Sequence, residues 1–149
     1  MRIALYQPDM AGNVGAIFRL GACLGVGVDV IEPTGFTWSE KALARSGMDY
    51  AELVEVRRHV DWDAFVATVP QRIVLLSTRG GVRIDTAAFR ADDVLLMGSE
   101  GSGVPDAVHD QADLAVRIPL VPGMRSLNIA VAAGIALSEA LRQTGGWPA

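Results

Sequence analysis

Short aliphatic or β-branched runs alternate along this chain with longer segments whose apolar residues recur at helical spacing. Ile3 to Tyr6, Val28 to Ile31, Leu53 to Val56, Ile73 to Leu76, Val94 to Met97 and Leu114 to Ile118 read as strands. Between them, Val14 to Leu24, Glu40 to Ser46, Trp62 to Val69 and Pro105 to Gln111 read as helices, and a longer one runs from about Leu127 to Gln143. Alternation of this kind predicts an α/β domain with a mostly parallel sheet flanked by helices. No repeat, low-complexity tract or linker-like stretch interrupts it. A chain of 149 residues, half of them hydrophobic, suits one domain over 1–149 with one core.

The first and last helices differ in pattern. In the first, Val14, Ile17, Phe18, Gly21, Ala22 and Gly25 share one stripe, with Asn13 as a cap or first-turn residue. Arg19 lies off that stripe and is the sole charge between Asp9 and Asp29, so it either snorkels to solvent or points at something specific. From Ser126 through Ser138 there is no charge at all, and the apolar positions run almost all round the last helix. That pattern predicts burial, and the small residues Ala130, Ala132, Ala133, Gly134 and Ala136 permit close approach either to the sheet or to a second subunit.

Composition narrows the setting. Cys23 is the single cysteine, placed among apolar residues, so no intrachain disulfide is possible and a reducing cytoplasm is expected. The opening MRIALYQPDM has too brief an apolar stretch for a signal segment, and no run approaches the roughly 20 residues of a membrane span. A net charge of −4 argues against indiscriminate binding to nucleic acid, DNA included. Arg57, Arg58 and His59, then Arg79 and Arg83, are either scattered solvated groups or a basic face gathered by folding.

Polar or glycine-rich punctuation follows the buried elements in three places. Asn13-Val14-Gly15-Ala16-Ile17-Phe18-Arg19 comes after the first strand, and Gly98-Ser99-Glu100-Gly101-Ser102-Gly103-Val104-Pro105 directly after Val94 to Met97. The glycines of the second segment expose main-chain amides, and Pro105 presets the next helical turn. The third segment, Ile118 to Asn128, leads from the last strand into the apolar helix. Each alone is an ordinary turn, but ligands of open α/β sheets bind beyond the carboxyl ends of strands, which makes a shared site the expectation. Neither G-x-G-x-x-G, nor a phosphate loop, nor a G-x-S-x-G elbow is present, and His59, His109 and Cys23 have no metal-ligand spacing.

In order, these segments resemble the three motifs of the SPOUT RNA methyltransferases, specifically the ribose 2′-O branch with N-x-G-x-x-x-R, G-x-E-x-x-G-[LV]-P and I-P-x-x-x-x-x-x-S-x-N. The flanks Ile31-Glu32-Pro33-Thr34-Gly35-Phe36 and Asp49-Tyr50 look like the branch acting at the tRNA wobble position. The resemblance implies a SPOUT fold with a C-terminal trefoil knot, a homodimer, and S-adenosylmethionine as cofactor with S-adenosylhomocysteine as product. Its cofactor positions fall on Leu76, Gly98, Ile118 and Ser126. The substrate it implies is the anticodon stem-loop of tRNA, in particular leucine tRNAs. The alternatives are another tRNA or ribosomal RNA site, or a knotted RNA-binding dimer without turnover.

Arg19 takes the place of the family's catalytic arginine, with Asn13, Glu100 and Asn128 at the remaining polar motif positions. A guanidinium stays protonated and has no lone pair to act as a base. The role expected of Arg19 is therefore to hold the attacking hydroxyl or an adjacent phosphate and to stabilise developing alkoxide charge. Glu100 is expected to orient Arg19 of its own chain or of a partner, and Asn128 to pin the loop. Ser99 stands where the motif often has proline, Ala130 where serine is common, Ser138 where wobble enzymes often carry tyrosine, and Gly12 replaces a frequent proline.

Overall fold

The computed structural model describes residues 1–39, 41 and 48–149. In chain order its elements are β1 (Arg2–Tyr6), α1 (Ala11–Leu24), β2 (Gly27–Ile31), a 3-10 turn (Met48–Glu52), β3 (Val56–His59), α2 (Trp62–Thr68), β4 (Ile73–Leu76), β5 (Val82–Arg83), β6 (Val94–Met97), α3 (Asp106–Gln111), β7 (Leu114–Arg117) and α4 (Ile129–Thr144). The strands make one seven-stranded sheet in the order β3-β2-β1-β6-β4-β7-β5, with every neighbouring pair parallel. Apart from Lys41, the helix expected at Glu40 to Ser46 lies outside the described residues.

Strand residues point alternately to the two faces, and both faces are covered, which is why the strands read as unbroken apolar runs. Ile3, Leu5, Val74, Leu95 and Met97 face one way, into a core closed by Val14, Ile17 and Phe18 of α1 and by Ala133, Ala136, Leu137 and Ala140 of α4. Ala4, Tyr6, Ile73, Leu75, Val94 and Leu96 face the other way, against Trp62 and Phe65 of α2 and Val108 of α3. The α2 helix is started by Asp61, whose carboxylate accepts from the Ala64 N–H at 2.8 Å.

Several expectations are corrected. The third strand lies at Val56–His59 rather than Leu53 to Val56, and Leu53 is 71% exposed. The cause is ion pairing, which hydropathy does not register. Asp29 is buried on β2, and the His59 Nε2 lies 2.7 Å from its Oδ1 while Arg2 Nε donates to its Oδ2 at 2.5 Å. Arg57 pairs with Glu55 and Arg58 with Glu32, so the run Arg57-Arg58-His59 is a neutralised edge strand and does not form a free basic face. Arg83, on the unanticipated strand β5 at the other edge, is likewise paired with Asp85.

The α4 helix is not buried all round: Val131 is 52% and Ile135 39% exposed, because the residues one turn apart on that side face away from the sheet. An open concavity of ≈ 710 Å³ runs beside them, lined by Ile84, Asp85, Gly134, Ser138, Glu139 and Arg142 as well. The α1 helix begins at Ala11, three residues ahead of expectation, so Gly12 and Asn13 fall within its first turn. Cys23 is exposed on α1 and not enclosed by apolar residues.

At the opposite end of the sheet from the loops of interest, Asp93 is fully buried beside the first residues of β4 and β6. Arg72 grips it with two bonds, Nε to Oδ1 at 2.8 Å and Nη2 to Oδ2 at 2.7 Å. Removing the cation strands a buried carboxylate, so Arg72→Ala is expected to lower unfolding free energy by about 3 to 5 kcal/mol in a denaturant titration. Arg142→Ala breaks an exposed pair with Glu139 and is expected to leave the midpoint where it was. Equal effects of the two substitutions would refute the ranking.

Candidate active site

All strands being parallel, their carboxyl ends lie on one edge, and the loops after β1, β4, β6 and β7 meet there around a cavity of ≈ 680 Å³. That volume suits a cofactor-sized ligand. Leu75, Leu76, Met97, Val116, Ile118 and Leu120 give it apolar walls, and Ser77, Ser99, Glu100, Ser126 and Asn128 give it polar groups.

The loop after β6 is built by its glycines. Ser99 and Gly103 exchange both main-chain hydrogen bonds, at 3.0 and 2.8 Å, which folds the loop back on itself. A Cβ at Gly98 would lie 2.8 Å from the Gly103 Cα, so only glycine lets the two backbones come this close. The turn is tied to the loop after β1 by Asp9, whose Oδ2 accepts from Ser99 Oγ at 2.9 Å and from Gly101 N at 3.0 Å. Gln7, with φ of 43°, makes the left-handed bend that carries the chain from β1 towards this clamp. The loop between β1 and α1 is therefore held in place.

Glu100 points inward and binds twice. Its Oε2 accepts from the Asp9 N–H at 2.7 Å and its Oε1 from Asn13 Nδ2 at 3.0 Å. Asn13 then turns its Oδ1 to Asn128 Nδ2, again at 3.0 Å. Asn128 in turn caps α4, its Oδ1 accepting from Ala130 N at 2.8 Å and Val131 N at 3.3 Å. Every group in this relay has a definite sense. A carboxylate only accepts, so Asn13 must present its NH2 to Glu100 and its oxygen to Asn128, which leaves the Asn128 oxygen free to cap the helix.

The sequence-derived residues divide clearly. Asn13, Leu76, Gly98, Glu100, Ile118, Ser126 and Asn128 all line the one cavity. Arg19 does not. It is six residues beyond Asn13 on α1, roughly 9 Å further along the axis and on another side of the helix. Its guanidinium is exposed and lies 5.1 Å from the centre of the Tyr50 ring. Within one chain Glu100 therefore orients Asn13 and Asp9, and the expected contact from Glu100 to Arg19 is not made.

Sequence reasoning missed Asp9, Arg79 and Arg125 as site residues. Asp9 could have been noticed as the acidic residue ending the Gln7-Pro8 interruption. Arg79 and Arg125 line the cavity from the loops after β4 and β7. Among the described residues no group of His, Cys, Asp and Glu is placed to hold a metal ion.

Comparison with known proteins matches this architecture. The family described as "SpoU rRNA Methylase family" matches residues 1–138. A tRNA (cytidine(34)-2'-O)-methyltransferase of Beijerinckia indica subsp. indica is 53% identical over 146 residues, 96% of this chain and 91% of that protein. A solved structure described as giving insight into "the 2-OH methylation of C/U34 on tRNA" superposes with a TM-score of 0.90 at 39% identity, covering 95% of this chain and 94% of that one. An AdoMet-bound rRNA methyltransferase from Sinorhizobium meliloti superposes with a TM-score of 0.83 at 29% identity, covering 95% of this chain and 55% of that one.

The relay makes a quantitative demand. Glu100 and Asn128 do not touch, yet removing Glu100 frees Asn13 to flip and release the cap. Asn128→Ala is expected to cost about 1 kcal/mol, the worth of a helix cap. A double-mutant cycle of Glu100→Ala with Asn128→Ala should show coupling of about 0.5 kcal/mol or more in denaturant unfolding. Strict additivity would show that Asn13 transmits nothing.

Proposed function

This chain belongs to the SpoU rRNA Methylase family, and we propose that it transfers a methyl group from S-adenosylmethionine to the ribose 2′-oxygen of the cytidine or uridine at the wobble position of tRNA. One observation carries the reading: motif residues as far as 115 positions apart meet at a single cavity on the carboxyl edge of the sheet. The tRNA-directed relatives match along nearly their whole length, whereas the rRNA-directed structure extends far beyond the shared part, which favours tRNA as the substrate.

The donor set fits the cofactor. Leu76 and Ile118 would offer apolar walls to a purine, Gly98 would admit close approach to main chain, and Ser126 would add a hydroxyl, so these four would hold it. When bound, S-adenosylmethionine supplies the electrophilic methyl and becomes S-adenosylhomocysteine. The protein's own tasks are to align the 2′-oxygen, exclude water and stabilise charge as the hydroxyl loses its proton. Arg19 carries the last of these through its fixed, permanently charged guanidinium. Asn13, Glu100 and Asn128 keep the glycine loop and the start of α4 in register.

Two features support a homodimer: Arg19 stands outside its own chain's cavity, and Val131 and Ile135 leave an apolar strip on α4 uncovered. In this assembly Arg19 of one protomer completes the cavity of its partner. The segment from Ile118 to Asn128 lines one cavity together with the loops after β4 and β6, and with the family membership this supports reading it as the threaded part of a trefoil knot. Resemblance of the flanking residues favours leucine tRNAs as substrates, in the cytoplasm.

The test is transfer of labelled methyl from S-adenosylmethionine to tRNA taken from cells lacking wobble ribose methylation, followed by nuclease mapping. Label is expected as a 2′-O-methyl nucleotide at the first anticodon position, and label elsewhere would replace the substrate. Arg19→Ala is expected to lower kcat roughly a hundred- to a thousandfold, with little recovery in Arg19→Lys. Mixing Arg19→Ala with Leu76→Arg subunits should restore activity above either alone, and no restoration would refute a site shared between protomers.

A further inference from the structure

Arg79 and Arg125 line the cavity from the loops after β4 and β7, and neither stands at a defined position of the motifs. Arg79 follows β4, with its N–H bonded to Ser77 Oγ at 3.0 Å. The turn behind it is rigid: Gly81 has φ of 83°, and a Cβ there would lie 2.4 Å from the Ala115 carbonyl oxygen, so the loop is seated directly on β7. Its Nη1 donates to Asp106 Oδ1 at 2.7 Å and its Nη2 to the Val104 carbonyl at 3.4 Å. Asp106 is 86% exposed, and the arginine beside it holds its carboxyl below the usual range. Arg125, which lines the same cavity, is exposed on the loop before α4, and among the described residues it has neither an ion pair nor a hydrogen bond.

Six other arginines are matched, Arg2 by Asp29, Arg57 by Glu55, Arg58 by Glu32, Arg72 by Asp93, Arg83 by Asp85 and Arg142 by Glu139, and Arg19, Arg90 and Arg117, which have no ion pair among the described residues, do not line the cavity. An unmatched guanidinium lining the same cavity as one held by an exposed carboxylate and a main-chain carbonyl makes a poised anion site. We propose that Arg79 and Arg125 clamp the phosphodiesters on either side of the nucleotide being methylated, and that Asp106 occupies Arg79 until RNA displaces it. The inference rests on the RNA methyltransferase reading above. Arginine suits the role because its planar fork grips two phosphate oxygens at once. The clamp also reconciles a net charge of −4 with an RNA substrate: attraction is confined to one mouth.

Binding of an anticodon stem-loop RNA, followed by fluorescence anisotropy over a series of KCl concentrations, tests it. Each phosphate contact to single-stranded RNA contributes about 0.7 to the slope of log affinity against log salt, so Arg79→Gln/Arg125→Gln should reduce the slope by about 1.4. Arg125→Lys should keep most of the slope. Asp106→Asn should tighten RNA binding about threefold, the order of effect an exposed ion pair allows. Affinity for S-adenosylhomocysteine, measured by calorimetry on the same proteins, should stay within twofold of the parent. An unchanged salt slope, or a loss of S-adenosylhomocysteine affinity in its place, would assign these arginines elsewhere and overturn the clamp. If the unsubstituted protein neither binds nor methylates tRNA, the functional reading itself fails, and the clamp with it.

Discussion

An ionised carboxylate can only accept hydrogen bonds, and at Glu100 that restriction passes through two amides to the first turn of a helix. The Asn13 side chain has to give its NH2 to Glu100, its oxygen then meets the Asn128 NH2, and the Asn128 oxygen is left to satisfy the main chain of α4. The loop after β1, the loop after β6 and the start of α4 are thereby fixed relative to one another by groups with no freedom to reverse. Asp9 reinforces the arrangement from outside by gripping the glycine turn at Ser99 and Gly101. Preorganisation of this kind matters for transfer between two bound reactants, where an error of an ångström in placement is costly. It also explains why polar residues occur in the motifs at all in a chain whose strands and helices are otherwise apolar.

Charge in this protein serves structure first. Asp29 and Asp93 are almost wholly enclosed, and each is made tolerable by the groups beside it: the Arg2 guanidinium and the His59 ring for one, the Arg72 guanidinium for the other. Buried carboxylates without such partners would be strongly destabilising. The pairs sit at the sheet's far edge and at the amino ends of its central strands, away from the cavity. Arg2, His59 and Arg72 are consequently committed to structure, and the overall count of charges says little about what the cavity can attract.

Much of the fold was legible because parallel strands covered on both faces leave an unmistakable trace, short apolar runs such as Val94–Met97 separated by helical segments. The edges were not. Strand β3 carries Arg57, Arg58 and His59, which read as solvent-facing until their carboxylate partners on β2 and its flanks are seen. Strand β5 is two residues long and exposed, and offers no periodicity to detect. The motif loops could be read in order, and their residues do meet in one cavity. What each polar group touches could not be read, since a chain of amides has two senses and only the geometry around Glu100 selects between them. Asp9 offered in sequence only its place after Gln7-Pro8, and its role as a clamp emerges when Ser99 and Gly101 are found within bonding distance.

The position of Arg19 follows from helix geometry. Asn13 and Arg19 belong to one motif, yet six residues of α-helix carry them to different sides of α1. With Asn13 committed to the cavity through Glu100 and Asn128, Arg19 is directed outward, where it rests against Tyr50. No side-chain rotation of a rigid helix buried at Val14, Ile17 and Phe18 brings both groups to the same point without dismantling that core. A motif whose two polar ends diverge is economical if they act in different places, one building its own chain's cavity and the other reaching a neighbour's. On that view the uncovered apolar strip of α4 and the outward arginine of α1 are two consequences of one design, in which the site proposed for methyl transfer is finished only by a second copy of the chain.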